Sequence, residues 1–336
     1  MSETMKRPAA SMIVAGTVAF ALCHTALAQN RPAAADTRYP IRPVRVIVTT
    51  AAGGASDFIV RPIAQKLSEN TKQNFVIDNR AGASGIIAME MGAKAPPDGY
   101  TLLFGTIGTV ASNFAVHANL PYHPIRDYAP ISKAADTYFV LSVNPSVPVH
   151  TVKEFVALAK AQPGRITYAT YGVGSFAHLL AEYFSSIAGI KLVHVPYKGS
   201  APAVADLVAG QVMCMFDTTT SALPMVRVNR LRALAIGTPA RYGAAPDVPT
   251  FTEAGYPQFQ PIGWWGFLAP AKTPRAIVDK INAEIQKALA SPDVRERIES
   301  TGAVPAPTTP EAFAARIKAD VDTYVRVARE ANIHAE

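Results

Sequence analysis

Cysteine is almost absent from this sequence, which holds two, Cys23 and Cys214, in 336 residues. Cys23 falls in an N-terminal segment that we expect to be removed, so the mature chain cannot form an internal disulfide. Cys214 lies in the apolar run 212–216, a setting typical of an inert, buried thiol rather than of a nucleophile. Stability must therefore come from packed hydrophobic cores, and a mature chain of about 300 residues predicts two domains.

Charged residues are also scarce, at 17% of the sequence, and no run of Lys and Arg occurs. The net charge of +7 falls to +6 when Glu3, Lys6 and Arg7 leave with the N-terminal segment. Proteins that bind nucleic acid cluster basic residues on one face, often interleaved with aromatic side chains. The sequence has neither pattern, so we predict no nucleic-acid partner. The mild positive charge instead favours the attraction of small anions.

Motifs for nucleotide, metal and hydrolytic chemistry are missing as well. The sequence has no G-x-S-x-G, no H-E-x-x-H and no P-loop. Residues 172–177 match the dinucleotide pattern G-x-G-x-x-A, but no acidic residue ends the next predicted strand to hold a ribose. Ser175, His178 and Asp217 would form a hydrolytic triad only if the fold joined them, because their spacing gives no support. We predict no cofactor, no metal and no catalysis, with an exported hydrolase as the weakest alternative.

The first 28 residues have the features of a cleaved secretory signal. Lys6 and Arg7 give a basic start, residues 12–22 form a short apolar run, and Ala26 and Ala28 are the small residues that a signal peptidase reads. An apolar run of about 11 residues is too short to span a bilayer. We predict cleavage after Ala28 and an exported mature protein, in which no later apolar stretch is long enough for a membrane helix.

Residues 29–38, rich in Ala and Pro, are typical of a disordered leader, and the folded part is predicted to begin at Tyr39. From there short β-branched runs alternate with helical segments, which is the pattern of an α/β fold. Because these runs are almost continuously apolar, we expect a mostly parallel sheet buried on both faces. The predicted strands are residues 44–48, 75–77, 101–104, 139–143, 166–169, 192–195, 212–216 and 234–236.

Three helix starts can be placed by their capping residues. Thr151 and Glu154 form a capping box. Thr273 and Thr309 each precede a proline, which predicts a cap residue followed by proline at the first helical position. One buried helix face is predicted by apolar residues that recur every four positions, at Ile277, Ile281, Ile285 and Leu289.

Three loops rich in Gly, Ser and Thr follow predicted strands and form the candidate ligand site. They span residues 49–57, 105–109 and 170–175. In open α/β sheets ligands bind beyond the carboxyl ends of strands, where glycines let the backbone come close and free amides suit an anion. For any single loop, glycines that only turn the chain are the alternative. The shared position after strands favours a carboxylate or phosphate held by main-chain amides and hydroxyls.

Short stretches spread along the chain resemble one family, the Bug-type extracytoplasmic solute receptors of tripartite tricarboxylate transporters. The resemblance covers nearly the whole chain after Tyr39 and lies in the order and spacing of the stretches. They are Asn79-Arg80 with Gly82 and Gly85, Pro97-Asp98-Gly99-Tyr100-Thr101-Leu102, Gly105-Thr106 with Gly108-Thr109, Leu120-Pro121-Tyr122, His194-Val195-Pro196-Tyr197-Lys198-Gly199, Phe216-Asp217, Val248-Pro249-Thr250 with Glu253-Ala254-Gly255, and Ala269-Pro270 with Thr273-Pro274.

The resemblance implies a two-lobe, type II-like periplasmic-binding-protein fold that closes on its ligand like a flytrap, with two crossovers between the lobes. It places residues 39–138 and 257–336 in lobe one and residues 139–256 in lobe two. It further implies a periplasmic protein, expected to be a monomer, that captures a small carboxylate and passes it to membrane transporter subunits. The expected ligand is a dicarboxylate, an acidic amino acid or an aromatic acid such as terephthalate. The alternative role is a periplasmic sensor that feeds a two-component system through a sensor kinase.

By the same resemblance, ligand contacts come from the three loops and from two later strand ends, with ordered water helping to hold the carboxylate groups. The residues implied are Ala52, Gly53, Gly54, Ser56, Asp57, Thr106, Thr109, Tyr171, Gly174, Ser175, His178, Lys198, Asp217 and Thr218.

The chain departs from the family pattern at two loops. Residues 49–52 read Thr-Thr-Ala-Ala where an aromatic, proline-rich stretch is typical, and Tyr171 stands where a small polar residue is common. Phe176 adds a further aromatic ring. We hypothesise an apolar surface on lobe two that accepts an aromatic or longer carboxylate. The alternative is that Tyr171 and Phe176 only pack.

Overall fold

The computed structural model describes residues 39–335 of the chain. The predicted signal peptide, residues 1–28, and the predicted leader, residues 29–38, lie outside the described residues. Between Tyr39 and Ala335, no helix combines the length and the hydropathy that crossing a bilayer requires.

Strands and helices alternate through the described residues in the predicted α/β pattern. The strands are β1 (Val44–Val48), β2 (Phe75–Asn79), β3 (Thr101–Thr106), β4 (Tyr128–Val143), β5 (Thr167–Thr170), β6 (Val193–Pro196), β7 (Cys214–Thr218), β8 (Arg232–Ile236), β9 (Ile262–Pro270) and β10 (Val304–Pro305). The α-helices are α1 (Ala55–Thr71), α2 (Ile86–Ala93), α3 (Asn113–Val116), α4 (Val152–Ala161), α5 (Phe176–Ala188), α6 (Ser200–Ala209), α7 (Thr219–Arg227), α8 (Arg275–Ala290), α9 (Pro292–Glu299) and α10 (Pro310–Glu330). A 3₁₀ turn precedes α2 at Ala83–Gly85, and a π-helical turn precedes α3 at Gly108–Ser112.

The strands form a mixed sheet in the order β2-β1-β3-β9-β4-β7-β5-β6, and β8 and β10 also pair with β4. On one flank β1 is parallel to β2 and β3, and on the other flank β5 is parallel to β6 and β7. In the middle, β9 is antiparallel to β3 and β4, and β4 is antiparallel to β7. The prediction of a mostly parallel sheet is therefore wrong for the centre of the sheet, although it describes each flank.

The amino-acid composition of the two central strands, β4 and β9, does not predict their full extent. β9 carries two glycines and two tryptophans in place of a β-branched run, and no strand was predicted there. β4 begins at Tyr128 rather than at Phe139, because Lys133 and Asp136 interrupt its apolar pattern. These two side chains form an ion pair with an N–O distance of 2.7 Å, which lets a half-buried strand carry charges.

β4 is the strand that the two halves of the sheet share. Its residues 128–138 pair with β9 in the first half, which also holds β1, β2, β3 and β10. Its residues 139–143 pair with β7 and β8 in the second half, which also holds β5 and β6. The chain thus passes between the halves twice, along β4 and on entering β9, which is the predicted two-lobe arrangement. The division at residues 138 and 257 stays a prediction.

Helix α8 shows how the predicted periodicity builds the core of the first half. The predicted face is buried and packs against residues of α1 and of the sheet. Its members are Ile277, Ile281, Ile285 and Leu289.

Two of the three predicted caps are confirmed. The Thr151 hydroxyl accepts a hydrogen bond from the Glu154 amide at 3.1 Å, and the Thr309 hydroxyl accepts one from the Ala312 amide at 3.2 Å. The prediction for Thr273 is wrong by one residue, since Pro274 occupies the N-cap position of α8 and provides no side-chain cap. The helix begins one residue later because the Pro274 carbonyl accepts its first hydrogen bonds, from the Ile277 amide at 2.9 Å and the Val278 amide at 3.2 Å.

An aromatic cluster fills the interior of the second half. Phe184, Phe216, Phe251 and Phe259 contact one another with ring centroids 4.8–6.1 Å apart. Cys214, on the same strand as Phe216, is buried, and burial raises the pKa of its thiol. The prediction of an inert core thiol is confirmed, because a thiol with a raised pKa is a poor nucleophile.

Three stacked rings support the loop that follows β5. The rings of His178 on α5 and His194 on β6 have centroids 3.8 Å apart, and Tyr168 on β5 stacks on His194 at 5.1 Å. Burial lowers the pKa of both histidines to about 4, and the neighbouring His194 adds to the effect at His178. Neutral His178 can therefore accept a hydrogen bond at Nδ1, which comes from the Gly174 amide at 3.1 Å.

The buried histidine pair predicts a loss of stability in mild acid. The unfolded chain protonates each histidine near pH 6.5, whereas the folded chain does so only near pH 4, so acid opposes folding increasingly across this window. The thermal unfolding midpoint should therefore fall as the pH drops from about 6.5 to 4. His194→Gln keeps a hydrogen-bonding side chain and removes one titrating ring, so it should flatten that fall. Parallel curves for the variant and the parent would contradict this prediction.

Gly266 on β9 makes room for a core phenyl ring. A Cβ at this position would lie 2.3 Å from Cζ of Phe313 and 3.0 Å from the Ser132 carbonyl oxygen. Gly266→Ala should therefore lower the free energy of unfolding by about 1–3 kcal/mol through overpacking. Gly243→Ala is the matched control, because a Cβ there meets nothing within 4 Å. Urea denaturation measures both variants, and equal stability of the two would show that β9 and α10 are not tightly packed here.

Candidate functional site

A cleft of about 1070 Å³ is lined by residues from both halves of the sheet. Its walls include the loops that follow β1, β2, β3 and β5, together with the end of β7. Residues of the central strands β4 and β9 and of the segment after α10 complete the lining. Strand ends from the two halves thus meet around one space, which is the usual position of a ligand in an open α/β sheet.

Six of the fourteen predicted site residues line this cleft. They are Thr106, Thr109, Tyr171, Gly174, Ser175 and Thr218. The other eight lie outside the lining, at Ala52, Gly53, Gly54, Ser56, Asp57, His178, Lys198 and Asp217. The role of each residue in binding stays a prediction, and the contacts of the outlying eight show what else they do.

In the loop after β1, the Asp57 side chain makes hydrogen bonds within the protein that fix the conformation of the loop. Asp57 is buried and accepts hydrogen bonds from the Gly53 amide at 3.0 Å, Nε of Arg61 at 2.8 Å and Nδ2 of Asn79 at 3.1 Å. Burial works against its charge, but these hydrogen bonds and the guanidinium of Arg61 outweigh it and lower the pKa of Asp57. Asp57 therefore stays ionised and fixes the glycine turn, which lies in the exposed stretch 51–55.

Ser56 supports the cleft wall indirectly, whereas Thr49 and Thr50 are part of the wall. The Ser56 hydroxyl accepts a hydrogen bond from Nε1 of Trp265 at 3.0 Å, and the Trp265 ring lines the cleft. Thr49 and Thr50, which precede the glycines, line the cleft directly. This loop thus contributes its first two residues to the wall and uses Ser56 to hold an aromatic ring of β9.

The loop after β3 presents one hydroxyl with a free proton. The Thr109 hydroxyl donates to the Thr106 carbonyl at 3.1 Å and accepts from the Thr106 amide at 3.0 Å. The Thr106 hydroxyl accepts from the Thr109 amide at 3.2 Å. The Thr109 hydroxyl therefore uses its proton in a hydrogen bond within the turn, whereas the Thr106 hydroxyl can donate its proton to a ligand.

Two more hydroxyls of the cleft are buried without a partner. The side-chain oxygens of Thr50 and Ser112 have no hydrogen-bond partner among the described residues, and both residues line the cleft. Ser112 belongs to the π-helical turn, a distortion that often marks functional sites. Because buried hydroxyls are normally paired, these two are suited to a ligand or to an ordered water.

In the loop after β5, the Gly174 amide and the Ser175 hydroxyl already make hydrogen bonds within the protein. The Gly174 amide donates to His178, and the Ser175 hydroxyl accepts from the His178 amide at 3.3 Å as the N-cap of α5. The Ser175 hydroxyl proton remains available to a ligand. Phe176 is 7% exposed and packs edge-on against Phe139 and Tyr324, so only a small part of its ring reaches the cleft.

Tyr171 and Asp217 form a hydrogen-bonded pair behind the cleft wall. The Tyr171 hydroxyl donates to Asp217, which also accepts from the Thr218 amide at 2.7 Å. Burial raises the pKa of Asp217 to about 6 although these hydrogen bonds oppose it, and burial with the adjacent carboxyl raises the pKa of Tyr171 far above its usual value. The pair fixes the Tyr171 ring toward the cleft, whereas Lys198 is exposed.

Several lining residues were missed by the sequence analysis. Gly263, Trp264 and Trp265 belong to β9, which was not recognised as a strand. The loop after β2, whose glycines belong to the family resemblance, and two residues of β4 also contribute to the lining. His117 and His334 gave no signal, because each is a single histidine without a neighbouring motif. Apart from the predicted Thr218 and from Phe176, which the sequence already places near the ligand, the lining residues outside the three predicted loops are Ala81, Gly82, Ser84, Gly85, Ser112, Asn113, Val116, His117, Thr137, Phe139, Gly263, Trp264, Trp265, His334 and Ala335.

The lining offers neutral donors rather than charges. Among the described residues that line the cleft there is no Lys, Arg, Asp or Glu, and its polar groups are hydroxyls, amides and two histidines. Residues 39–335 also contain no cluster of three or more His, Cys, Asp or Glu side chains placed to hold a metal ion. Such a site can hold an anion when hydrogen bonds from hydroxyls, amides and ordered water replace the hydration that the anion loses.

The three residues considered for a hydrolytic triad have other partners. The ring of His178 accepts from Gly174 and stacks on His194, while the Ser175 hydroxyl accepts from the backbone amide of His178 rather than pairing with its ring. Asp217 is bonded to Tyr171 rather than to a histidine. The geometry that a nucleophile and its base require is therefore not formed by these residues.

Comparisons with known proteins agree with this geometry. A family model described as "Tripartite tricarboxylate transporter family receptor" matches residues 59–332. A UPF0065 protein of Pseudomonas sp. (strain P51) is 39% identical over 298 residues, which cover 88% of each chain. Protein BugT of Bordetella pertussis is 37% identical over 300 residues, which cover 89% of this chain and 92% of BugT.

Solved structures of similar proteins include two with bound acids. R. palustris Rpa4515 with adipate has a TM-score of 0.74 and 35% identity, with 88% of this chain and 99% of that chain covered. MatC (Rpa3494) from Rhodopseudomonas palustris with bound malate has a TM-score of 0.71 and 33% identity, with 86% of this chain and 99% of that chain covered. The chain belongs to the receptor family of the tripartite tricarboxylate transporters.

Proposed function

We propose that this protein is a periplasmic solute-binding protein that captures a small carboxylate and delivers it to a membrane transporter of the tripartite tricarboxylate type. Its family is a receptor family, and two relatives of the same fold were solved with adipate and with malate. The predicted signal peptide accounts for export to the periplasm. The protein binds its ligand and releases it unchanged, without a cofactor, and acts as a monomer.

The observation that carries this proposal is the set of hydroxyls with a free proton or no partner in a cleft whose lining contains no Lys, Arg, Asp or Glu. Thr106 and Ser175 each keep a proton to donate, and the hydroxyls of Thr50 and Ser112 have no partner among the described residues. A carboxylate accepts up to about four hydrogen bonds, so it can satisfy several such donors at once. Neutral hydrogen-bond donors also release their ligand more readily than a buried ion pair would, which suits a carrier.

The aromatic lining points to an acid with an apolar body. Tyr171 and Trp265 line the cleft and are partly exposed, and Trp265 supplies an aromatic surface in a chain whose residues 49–52 lack one. Phe139 and Trp264 also line the cleft but are only 4% and 1% exposed. An apolar ligand body gains roughly 25 cal/mol for each Å² that it buries against such rings. We propose that the preferred ligand is an aromatic or medium-length carboxylate rather than a very short one.

Closure of the two lobes on the ligand is the proposed mechanism of capture. Ligand groups contact Thr106 from the first half of the sheet and Ser175 from the second half. A ligand that bridges the two favours the closed form by the difference in its affinity for the closed and open forms. In this proposal lobe one consists of residues 39–138 and 257–336, lobe two consists of residues 139–256, and the membrane partner recognises the closed form.

Removal of the Thr106 hydroxyl should weaken binding without affecting the fold. Thr106→Val keeps the shape of the side chain and removes the donor, so affinity for the bound acid should fall by about 0.5–1.5 kcal/mol. Thr252→Val is the control, because Thr252 is exposed and does not line the cleft. Titration calorimetry measures both variants, with melting temperatures to check folding. Equal affinities would remove Thr106 from the site.

A ligand series tests the proposed function and the preferred acid together. Terephthalate, benzoate and adipate should bind more tightly than succinate and glutamate, because they bury more apolar surface against the aromatic lining. The bound acid should be recovered unchanged after the protein is unfolded. Turnover of the acid would contradict the proposed function, and a clear preference for the short acids would contradict the apolar-body proposal alone. In cells, deletion should abolish uptake of the acid, whereas lost gene induction with intact uptake would indicate a sensor.

A further inference from the structure

The segment after α10 follows a fixed path at one end of the cleft. Asn332 adopts a left-handed conformation with φ of 51°, and its amide donates to the Arg329 carbonyl at 3.3 Å. The Ile333 amide donates to the Ala328 carbonyl at 2.8 Å, which completes the hydrogen-bond pattern of a Schellman turn. Ile333 is then buried in the hydrophobic core. The chain is thereby turned away from the helix axis, and His334 comes to line the cleft.

Three walls of the cleft meet at this segment. The Ala335 amide donates to the Val116 carbonyl, at the end of α3, at 3.0 Å. A Cβ on Gly174, in the loop after β5, would lie 2.9 Å from a Val116 methyl group and 3.3 Å from Cβ of Ala335. His117 follows Val116 and His334 precedes Ala335, so the two histidines flank the hydrogen bond that joins their segments.

These histidines are chemically distinct from the rest of the lining. Among the described residues that line the cleft, His117 and His334 are the side chains that can carry a positive charge. Nε2 of His334 lies 3.1 Å from Oδ1 of Asn332, which leaves Nδ1 for another partner. A hydrogen bond from a charged donor to a carboxylate is roughly twice as strong as a neutral one.

We propose that His117 and His334 form an anion subsite that takes one carboxylate of a bound dicarboxylate, while the hydroxyls near Thr106 take the other. The subsite rests on the proposed function, in which dicarboxylates are already among the expected ligands, and it names the two side chains that hold the second carboxylate. The hydroxyl groups discriminate poorly between one and two carboxylates, because they can be satisfied by a single one. The histidine pair gives the second carboxylate a partner.

Adipate and hexanoate test the subsite, since they have the same chain length and differ in one carboxylate. The parent protein should bind adipate at least about tenfold more tightly than hexanoate in titration calorimetry. His117→Ala and His334→Ala should each lower adipate affinity by about tenfold and leave hexanoate affinity within about twofold. His150→Ala is the matched control, because His150 is exposed and does not line the cleft.

Because His117 is half-buried, His117→Asn is measured beside His117→Ala, and an equal loss of adipate affinity in both excludes a packing effect. Variants that still prefer adipate as strongly as the parent, or that lose both acids equally, would overturn the subsite alone. A parent protein that binds neither of these acids nor any acid of the ligand series would overturn the subsite and the proposed function together.

Discussion

The antiparallel pairing of β4 with β9 on one side and with β7 on the other is the constraint on which the site depends. Because one strand belongs to both halves of the sheet, the carboxyl ends of β1, β2 and β3 open into the same space as those of β5 and β7. β9 adds Trp264 and Trp265 to the floor of that space. Trp264 is held by Asp320 of α10, which accepts from its Nε1 at 2.7 Å, so the floor is fixed to the core.

The chemistry of the cleft depends on the absence of carboxylates from its lining. Asp57 and Asp217 are both close to lining residues, but each is turned into the protein, where it holds a loop or a tyrosine ring. An anionic ligand therefore meets hydroxyls, amides and histidines rather than carboxylates. Full ion pairs in such a site would require desolvation of both charges, whereas hydroxyls and water impose a smaller cost and allow release.

Much of the fold could be predicted from sequence, because buried parallel strands such as β1 have a continuous apolar composition that leaves few alternatives. β9 could not be found in this way, since its glycines and tryptophans serve the packing of Phe313 and the lining of the cleft rather than strand propensity. The site was predicted at the level of loops and less well at the level of side chains. A sequence shows that Ser56 and Asp57 are polar. It does not show that Ser56 accepts a hydrogen bond from Trp265 and Asp57 accepts one from Gly53, so that both side chains are engaged within the protein. His334 reaches the cleft only through the turn at Asn332, which brings together residues far apart in the chain.

The most direct measurement is the identity of the small molecule that the protein carries when it is purified from its own periplasm. Native mass spectrometry followed by unfolding would release and weigh that molecule. A small organic acid, present in an amount comparable to the protein and chemically unaltered, is the result expected for a carboxylate carrier. A bound sugar, amine or metal ion, or a cleft that remains empty when acids are added, would contradict it.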